Sequence, residues 1–193
     1  MARATRSALF TSAADGLLEE VERLLAEGAG IHQRDPAGFS ALHFSSQGGH
    51  GALSQLLLNK GSDVNSKSND GDTPLHLAAE GVQILVQILL DNGADVGIKN
   101  KRLQTPLHLA TLNDHTLAVQ QLLHTGADVD AKDKSGFTLH HAAQGGYHAI
   151  MLRLLAAGAD VTLETKHVNS KPYTLNPKPY TLNSKPSTLN PKP

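Results

Sequence analysis

Apolar residues fall in short runs at three- and four-residue spacing from about Ser7 to Leu163, and each run closes on the same pair. Leu24-Leu25, Leu57-Leu58, Leu89-Leu90, Leu122-Leu123 and Leu154-Leu155 are each followed at constant distance by a glycine and a small residue. These are Gly28-Ala29, Gly61-Ser62, Gly93-Ala94, Gly126-Ala127 and Gly158-Ala159, at steps of 33, 32, 33 and 32 residues. His43, His76, His108 and His140 keep the same beat. Five units in register mean a repeat architecture.

Each unit predicts two helices. Thr73-Pro74 and Thr105-Pro106 place a hydroxyl N-cap before a proline whose missing N–H costs nothing in the first turn. Small residues such as Ala78-Ala79 and Ala142-Ala143 let that first helix approach its neighbour closely. A break (Gly48-Gly49-His50, Gly145-Gly146-Tyr147) precedes a second helix with an apolar stripe such as Val119, Leu122 and Leu123. The glycine after each Leu-Leu run sits at the left-handed position past the helix end. Polar turn-formers, as in Ser68-Asn69-Asp70-Gly71-Asp72, link the units. One such unit cannot bury its apolar faces, whereas a stack can.

The segments DGDTPLHLAAEG (70–81) and QTPLHLATLNDH (104–115), each followed by a Leu-Leu…Gly-Ala ending, resemble ankyrin repeats, and the resemblance runs from residue 7 to about 163. It implies an all-α fold: a solenoid of five helix-turn-helix units joined by projecting β-hairpin loops, with a concave protein-binding surface. The units are expected at 7–34 (an N-terminal cap), 35–67, 68–99, 100–132 and 133–163, after a lead at 1–6 and before a tail at 164–193. Several positions depart from the pattern. The first unit lacks Pro-Leu-His and carries Glu19, Glu20, Glu22, Arg23 and Glu27, the polar outer face a terminal cap needs. The third is one residue short at Glu80-Gly81-Val82, and the fifth lacks a proline between Thr138 and Leu139; both are expected to fold with irregular edges. Ser54 replaces the valine found at Val21, Val86 and Val119. The last helix, 148–158, carries Ile150, Met151, Leu152, Leu154 and Leu155 with one charge, a pattern suited to an internal repeat, so the array reads as unfinished.

Composition separates this body from the C-terminal tail. Residues 1–165 hold 12 Lys+Arg against 18 Asp+Glu, a balance of −6, whereas residues 166–193 hold five lysines and no acid. An acidic body lacks the basic face that phosphate-backbone binding requires, so no nucleic-acid partner is expected. Apolar runs of three or four residues exclude a transmembrane helix, and no signal-peptide core follows Arg3 and Arg6. With no cysteine and no leader, a cytoplasmic or nuclear location is expected. The tail repeats KPYTLNP, KPYTLNS, KPSTLNP with a seven-residue period, which cannot bury a core and predicts an extended or disordered chain. The telomere-like unit CCCTAAA encodes Thr-Leu-Asn-Pro-Lys-Pro-stop in one frame. Single-base changes give Tyr173, Tyr180, Ser187 and Ser184, so the tail reads as translated satellite-like DNA; codons unrelated to that unit would refute this.

No catalytic, cofactor or metal constellation stands out. Histidines one repeat apart lie about 10 Å from each other, the spacing of packed helices, and cannot share an ion. His140 and His141 are adjacent on a helix and face apart. The resemblance assigns the unit histidines a structural role, bonding between neighbouring repeats. His50, His115 and His148 lie at inter-helix breaks, where capping or solvent exposure is the ordinary role. No GxSxG, HExxH or phosphate-loop motif occurs, so no enzyme is expected.

The expected function is protein recognition, as an adaptor or inhibitor. By register with the family, the candidate partner-binding residues are Arg34, Asp35, Phe39, Phe44 and Gln47 in the second unit, and Asn69, Asp72, Leu77 and Glu80 in the third. The fourth supplies Lys101, Arg102, Gln104, Leu109, Leu112 and Asn113; the fifth supplies Lys134, Phe137, His141, Gln144 and Tyr147. Inter-repeat packing is the alternative for Leu77 and Leu109. The alternative function is a severed piece of a larger ankyrin-containing protein, with weak self-association through residues 148–158.

Overall fold

The structure, a computed structural model, describes residues 2–81 and 84–164, with side-chain environments from residue 8 onward. The heptapeptide tail and the Val82-Gln83 link of the third unit lie outside the described residues. Ten helices are described: α1 Ala2–Ala14, α2 Leu18–Ala26, α3 Ala41–Gly48, α4 Gly51–Asn59, α5 Pro74–Glu80, α6 Ile84–Asp91, α7 Pro106–Leu112, α8 Thr116–His124, α9 Thr138–Gly145 and α10 His148–Ala156. No strand occurs among the described residues, and a lone bridge joins Lys132 to Phe137. The first helix begins at Ala2, inside the segment read from sequence as a lead.

Odd-numbered helices form one row, α1 on α3, α3 on α5, α5 on α7 and α7 on α9; each also packs on the even-numbered helix after it. Even-numbered helices from α4 to α10 form a second row. The repeat pattern dictates this. Leu42, Leu75, Leu107 and Leu139 recur on the first row, and Leu24, Leu57, Leu89, Leu122 and Leu154 on the second, all buried in one continuous core. Each such leucine contributes about 1.5–3 kcal/mol of burial.

The Leu-Leu…Gly-Ala ending acts as a helix stop. At the end of α2 the Ala29 N–H donates to Leu24 O at 2.9 Å and the Gly28 N–H to Leu25 O at 3.1 Å. That pair of bonds consumes carbonyls the helix leaves open, and it requires the left-handed conformation that Gly28 adopts at φ 96°. The same two bonds follow α4, α6, α8 and α10.

Ser54 is compensated. Its hydroxyl lies 2.8 Å from that of Ser45, and Ser45 stands where the other units carry Ala78, Ala110 and Ala142. Both serines are fully buried. Replacing a satisfied buried pair with apolar groups of matching shape is neutral to stabilising. The double variant Ser45→Ala/Ser54→Val is therefore expected to gain about 1 kcal/mol in urea unfolding, and Ser54→Val alone less, because it leaves the Ser45 hydroxyl only its 3.2 Å bond to Leu42 O.

Between units the chain turns through four projecting fingers. Each closes on a backbone bond: Asp35 N to Phe39 O (2.9 Å), Ser68 N to Asp72 O (2.8 Å), Asn100 N to Gln104 O (3.0 Å) and Asp133 N to Gly136 O (2.9 Å). The first residue of each also folds its side chain back to accept backbone N–H groups inside the turn. The fourth finger is one residue shorter, the consequence of the missing proline. Neighbouring fingers are tied by Asn69 N to Ala37 O, Lys101 N to Asp70 O and Lys134 N to Arg102 O. Gly38 is needed there: a Cβ would stand 2.7 Å from the Asn69 nitrogen.

Candidate functional site

Two features of this framework bear on function: a ladder of buried histidines under the fingers, and the finger tips themselves. The ladder begins with local sequence. A hydroxyl N-cap three residues before each histidine brings the two together. The Ser40 N–H donates to His43 Nδ1 at 3.1 Å, and the Ser40 hydroxyl lies 2.8 Å away. Because Nδ1 accepts, Nε2 carries the proton, and it donates to Asp72 O at 3.1 Å in the next finger. His76 repeats the arrangement with Thr73 and with Gln104 O at 3.0 Å. Burial pulls His43 down to about 4 and lowers His76, so both are neutral at physiological pH.

The third rung is broken. His108 keeps its cap, with the Thr105 N–H at 3.2 Å and hydroxyl at 2.9 Å from Nδ1, but its fully buried Nε2 has no partner. The shortened fourth finger is the reason. One residue fewer places Phe137, which has no hydroxyl, at the cap of α9, and His140 Nδ1 is left without a partner. The expected irregular edge is thus a pair of misfitted histidines at the α7–α9 junction. An unpaired buried polar atom costs about 1–3 kcal/mol.

Two other side chains fill the space beside His108. His141 Nε2 lies 3.2 Å from Asp133 Oδ1, and the His141 ring meets that of His108 edge to face with centroids 5.9 Å apart. Burial alone would raise the Asp133 carboxyl; the backbone N–H groups of Gly136 and Ser135, with His141, outweigh it and hold the group below its usual range. One donor atom each from His108, Asp133 and His141 lies within 4.8 Å of the other two. Reasoning from sequence, which expected no metal-ligating set, missed this cluster. Its signal was the spacing: eight residues separate Asp35 from His43, Ser68 from His76 and Asn100 from His108, and in the fifth unit the same eight lead from Asp133 to His141.

The third finger differs from the others at its tip. Gly38 (φ 84°) and Gly71 (φ 82°) adopt the left-handed conformation in their turns, and the third finger carries Leu103 in it, at φ 64°. A leucine there costs about 1 kcal/mol or more relative to glycine. It is also 47% exposed, so burial does not repay that cost. Lys101 and Arg102 beside it are exposed, and among the described residues their side chains form no ion pair or hydrogen bond. Sequence reasoning passed over Leu103; aligning the four turns would have exposed it.

The chain matches the family described as Ankyrin repeats (3 copies) over residues 9–100 and again over 81–165. It belongs to the ankyrin-repeat family. A human protein, Protein phosphatase 1 regulatory subunit 27, is 38% identical over 71 residues, covering 37% of this chain and 46% of that protein. The mouse protein of the same name is 37% identical over the same shares. An ankyrin repeat-containing protein of Schizosaccharomyces pombe is 31% identical over 67 residues, 35% of this chain and 32% of that protein. The match spans less than half the length of each relative.

On this ankyrin scaffold the sequence-derived candidates sort by exposure. Arg34, Gln47, Asn69, Glu80, Lys101, Arg102, Leu112, Asn113, Lys134 and Gln144 are exposed along the fingers and first-row helices. Arg34 is committed: it donates to Gly38 O and Lys67 O and so ties two fingers. Asp35, Phe39, Phe44, Phe137 and Tyr147 are half-buried. Phe44 stacks with Phe10 and Phe39 at centroid distances of 5.6 and 5.9 Å, and Lys132 sits 5.2 Å over the Phe137 ring. Asp72, Leu77, Gln104, Leu109 and His141 are buried. Asp72 accepts from Asn100 at 2.7 Å, and Gln104 reaches Asp133 at 3.4 Å.

The residues at the inter-helix breaks also do more than cap. His50, His115 and Tyr147 bond back to Ala14 O, Ala79 O and Leu112 O of the preceding unit at 2.8, 3.0 and 3.3 Å. His148 is exposed. No helix among the described residues is long and apolar enough to cross a membrane.

Proposed function

We propose that this ankyrin-repeat chain is a non-catalytic adaptor or inhibitor. It holds a partner protein against the finger tips and first-row helices, with the Lys101–Leu103 tip as anchor. Leu103 carries the reading. An exposed leucine held in a left-handed turn contributes nothing to the fold that glycine would not supply at lower cost, and strain of that kind collects at binding sites. Lys101 and Arg102 flank it with unpaired positive charge on an otherwise acidic body, while Leu112 and Asn113 stand exposed at the end of the helix that follows. The partner surface that fits is an apolar pocket rimmed by carboxylates. The likeness to a phosphatase regulatory subunit supports a role exerted on a partner rather than on a substrate.

Capture from cell extract by the full chain, set beside Arg102→Glu, tests the charge half of this reading. The variant is expected to lose at least ten-fold of the captured protein while melting with the parent, since a rim charge of this type changes association and leaves the fold intact. Equal capture by both refutes the assignment.

A second reading has its own observation. On α10, Leu152 is 69% and Leu155 39% exposed, next to half-buried Met151. Self-association through residues 148–158 would cover them. Sedimentation of the full chain distinguishes the two: a single 20.4 kDa species at high concentration removes self-association and leaves the adaptor reading standing.

A further inference from the structure

We infer that His108, Asp133 and His141 form a zinc site at the junction of the fourth and fifth repeats, separate from the finger-tip surface. All three side chains are buried, His108 completely, and one donor atom from each lies within 4.8 Å of the others. A second observation points the same way. His108 Nε2 is buried without a hydrogen bond, whereas the same atom of His43 and of His76 bonds to a carbonyl. Tetrahedral zinc with bonds of about 2.0–2.1 Å to nitrogen sets its donors roughly 3.4 Å apart. His141 Nε2 and Asp133 Oδ1 stand at 3.2 Å in a hydrogen bond that zinc replaces, and bringing in the third donor, within 4.8 Å of both, takes at most about 1.4 Å.

The surrounding atoms are those a metal site needs. A metal-bound imidazole donates its other N–H to a fixed acceptor, and the Thr105 hydroxyl lies 2.9 Å from His108 Nδ1. This requires the tautomer opposite to that of the intact rungs, with Nδ1 protonated and donating to Thr105 Oγ1 instead of accepting the Thr105 N–H. Asp133 is held in place by the N–H groups of Ser135 and Gly136, each 2.7 Å from Oδ1, with the Gln104 amide 3.4 Å from Oδ2. Two imidazoles and one carboxylate are a donor set that zinc takes, and three protein ligands leave one position for water. The deleted residue that broke the ladder is what brings His141 to Asp133, so the misfit and the site have one origin.

The other repeats supply variants that keep the fold. Asn100 occupies the position of Asp133 in the finger before, and accepts the same kind of turn bonds, so Asp133→Asn preserves the turn. Leu77 and Leu109 occupy the position of His141, so His141→Leu suits the helix. The experiment titrates zinc into the full chain, made without a histidine tag and stripped by chelator, followed by calorimetry and thermal melting, with cobalt as an absorbing substitute. Binding of one equivalent is expected, with a saturable rise in melting temperature and the visible bands of tetrahedral cobalt. Each variant should weaken affinity about ten-fold or more and abolish the bands. Absence of saturable binding overturns the inference. So does binding retained by both variants, which would place the ion on exposed histidines such as His32, His124 and His148.

Discussion

Lowering the pH from 7 to 4 is expected to destabilise the repeat array by about 3 kcal/mol through His43 alone, with a further loss through His76. His43 falls from 6.5 to about 4 in the fold because burial disfavours its charged form; the Asp72 carbonyl and carboxylate oppose this only in part, and Arg34 adds to it. His76 is lowered by burial as well, with Gln104 O and Asp72 opposing and Lys67 assisting. Above pH 6.5 both histidines are neutral in the folded and the unfolded chain, so stability is at its full value. Below 6.5 the unfolded chain takes up protons that the fold refuses, and stability falls by about 1.4 kcal/mol per pH unit through His43, with a further fall through His76. The fall through His43 levels off near pH 4, where the folded chain binds the proton too. Urea unfolding followed by circular dichroism at half-unit steps measures the slope. His43→Gln, which takes up no proton, should make it shallower by about 1.4 kcal/mol per pH unit and leave the part due to the other buried histidines; an unchanged slope in that variant would assign the loss to other groups.

Removing a rung of the ladder gives an effect of similar size, and its position matters. His76→Ala is expected to cost about 3–5 kcal/mol, because it opens a cavity and strands the Thr73 N–H, the Thr73 hydroxyl and part of the Gln104 carbonyl in a buried junction. His140→Ala, at the same place in the fifth repeat, is expected to cost only about 1 kcal/mol. Its ring is half-buried, its cap residue is Phe137, and its Nδ1 already lacks a partner. Denaturant midpoints of the two variants against the parent check this. Equal costs would mean that the histidines stabilise by bulk and not by linking a cap to the next finger.

Much of the scaffold was legible in the sequence because local chemistry and global packing agree there. Leu-Leu…Gly-Ala specifies a helix end by its own hydrogen bonds, and Thr-Pro-Leu-His specifies a helix start and the contact to the next repeat. Such motifs act over a few residues, so they can be read without the fold. The candidate site was less legible. Phe39 and Phe44 read as binding aromatics, yet Phe44 packs on Phe10 of the first helix, a contact made across units, and Phe39 packs on Phe44. Tyr147 read as a partner-binding residue, yet its hydroxyl reaches Leu112 O and its ring lies half-buried against the core. Leu77 and Leu109 read either as partner-binding positions or as inter-repeat packing, and they are buried, as is His141, which read as partner-binding. The missing proline was visible, but its effect was not: it acts through the length of a finger, which decides where His108, Asp133 and His141 meet.

The measurement closest to the central claim compares the parent with Leu103→Gly in two assays, partner capture and thermal melting. Glycine accepts the left-handed turn without strain, so the variant is expected to melt at or above the parent, gaining about 0.5–1 kcal/mol. Partner capture is expected to fall at least ten-fold, because the apolar anchor is gone. Stability kept or raised while binding is lost is the result predicted for a tip that serves recognition. Undiminished capture by the variant would contradict the account.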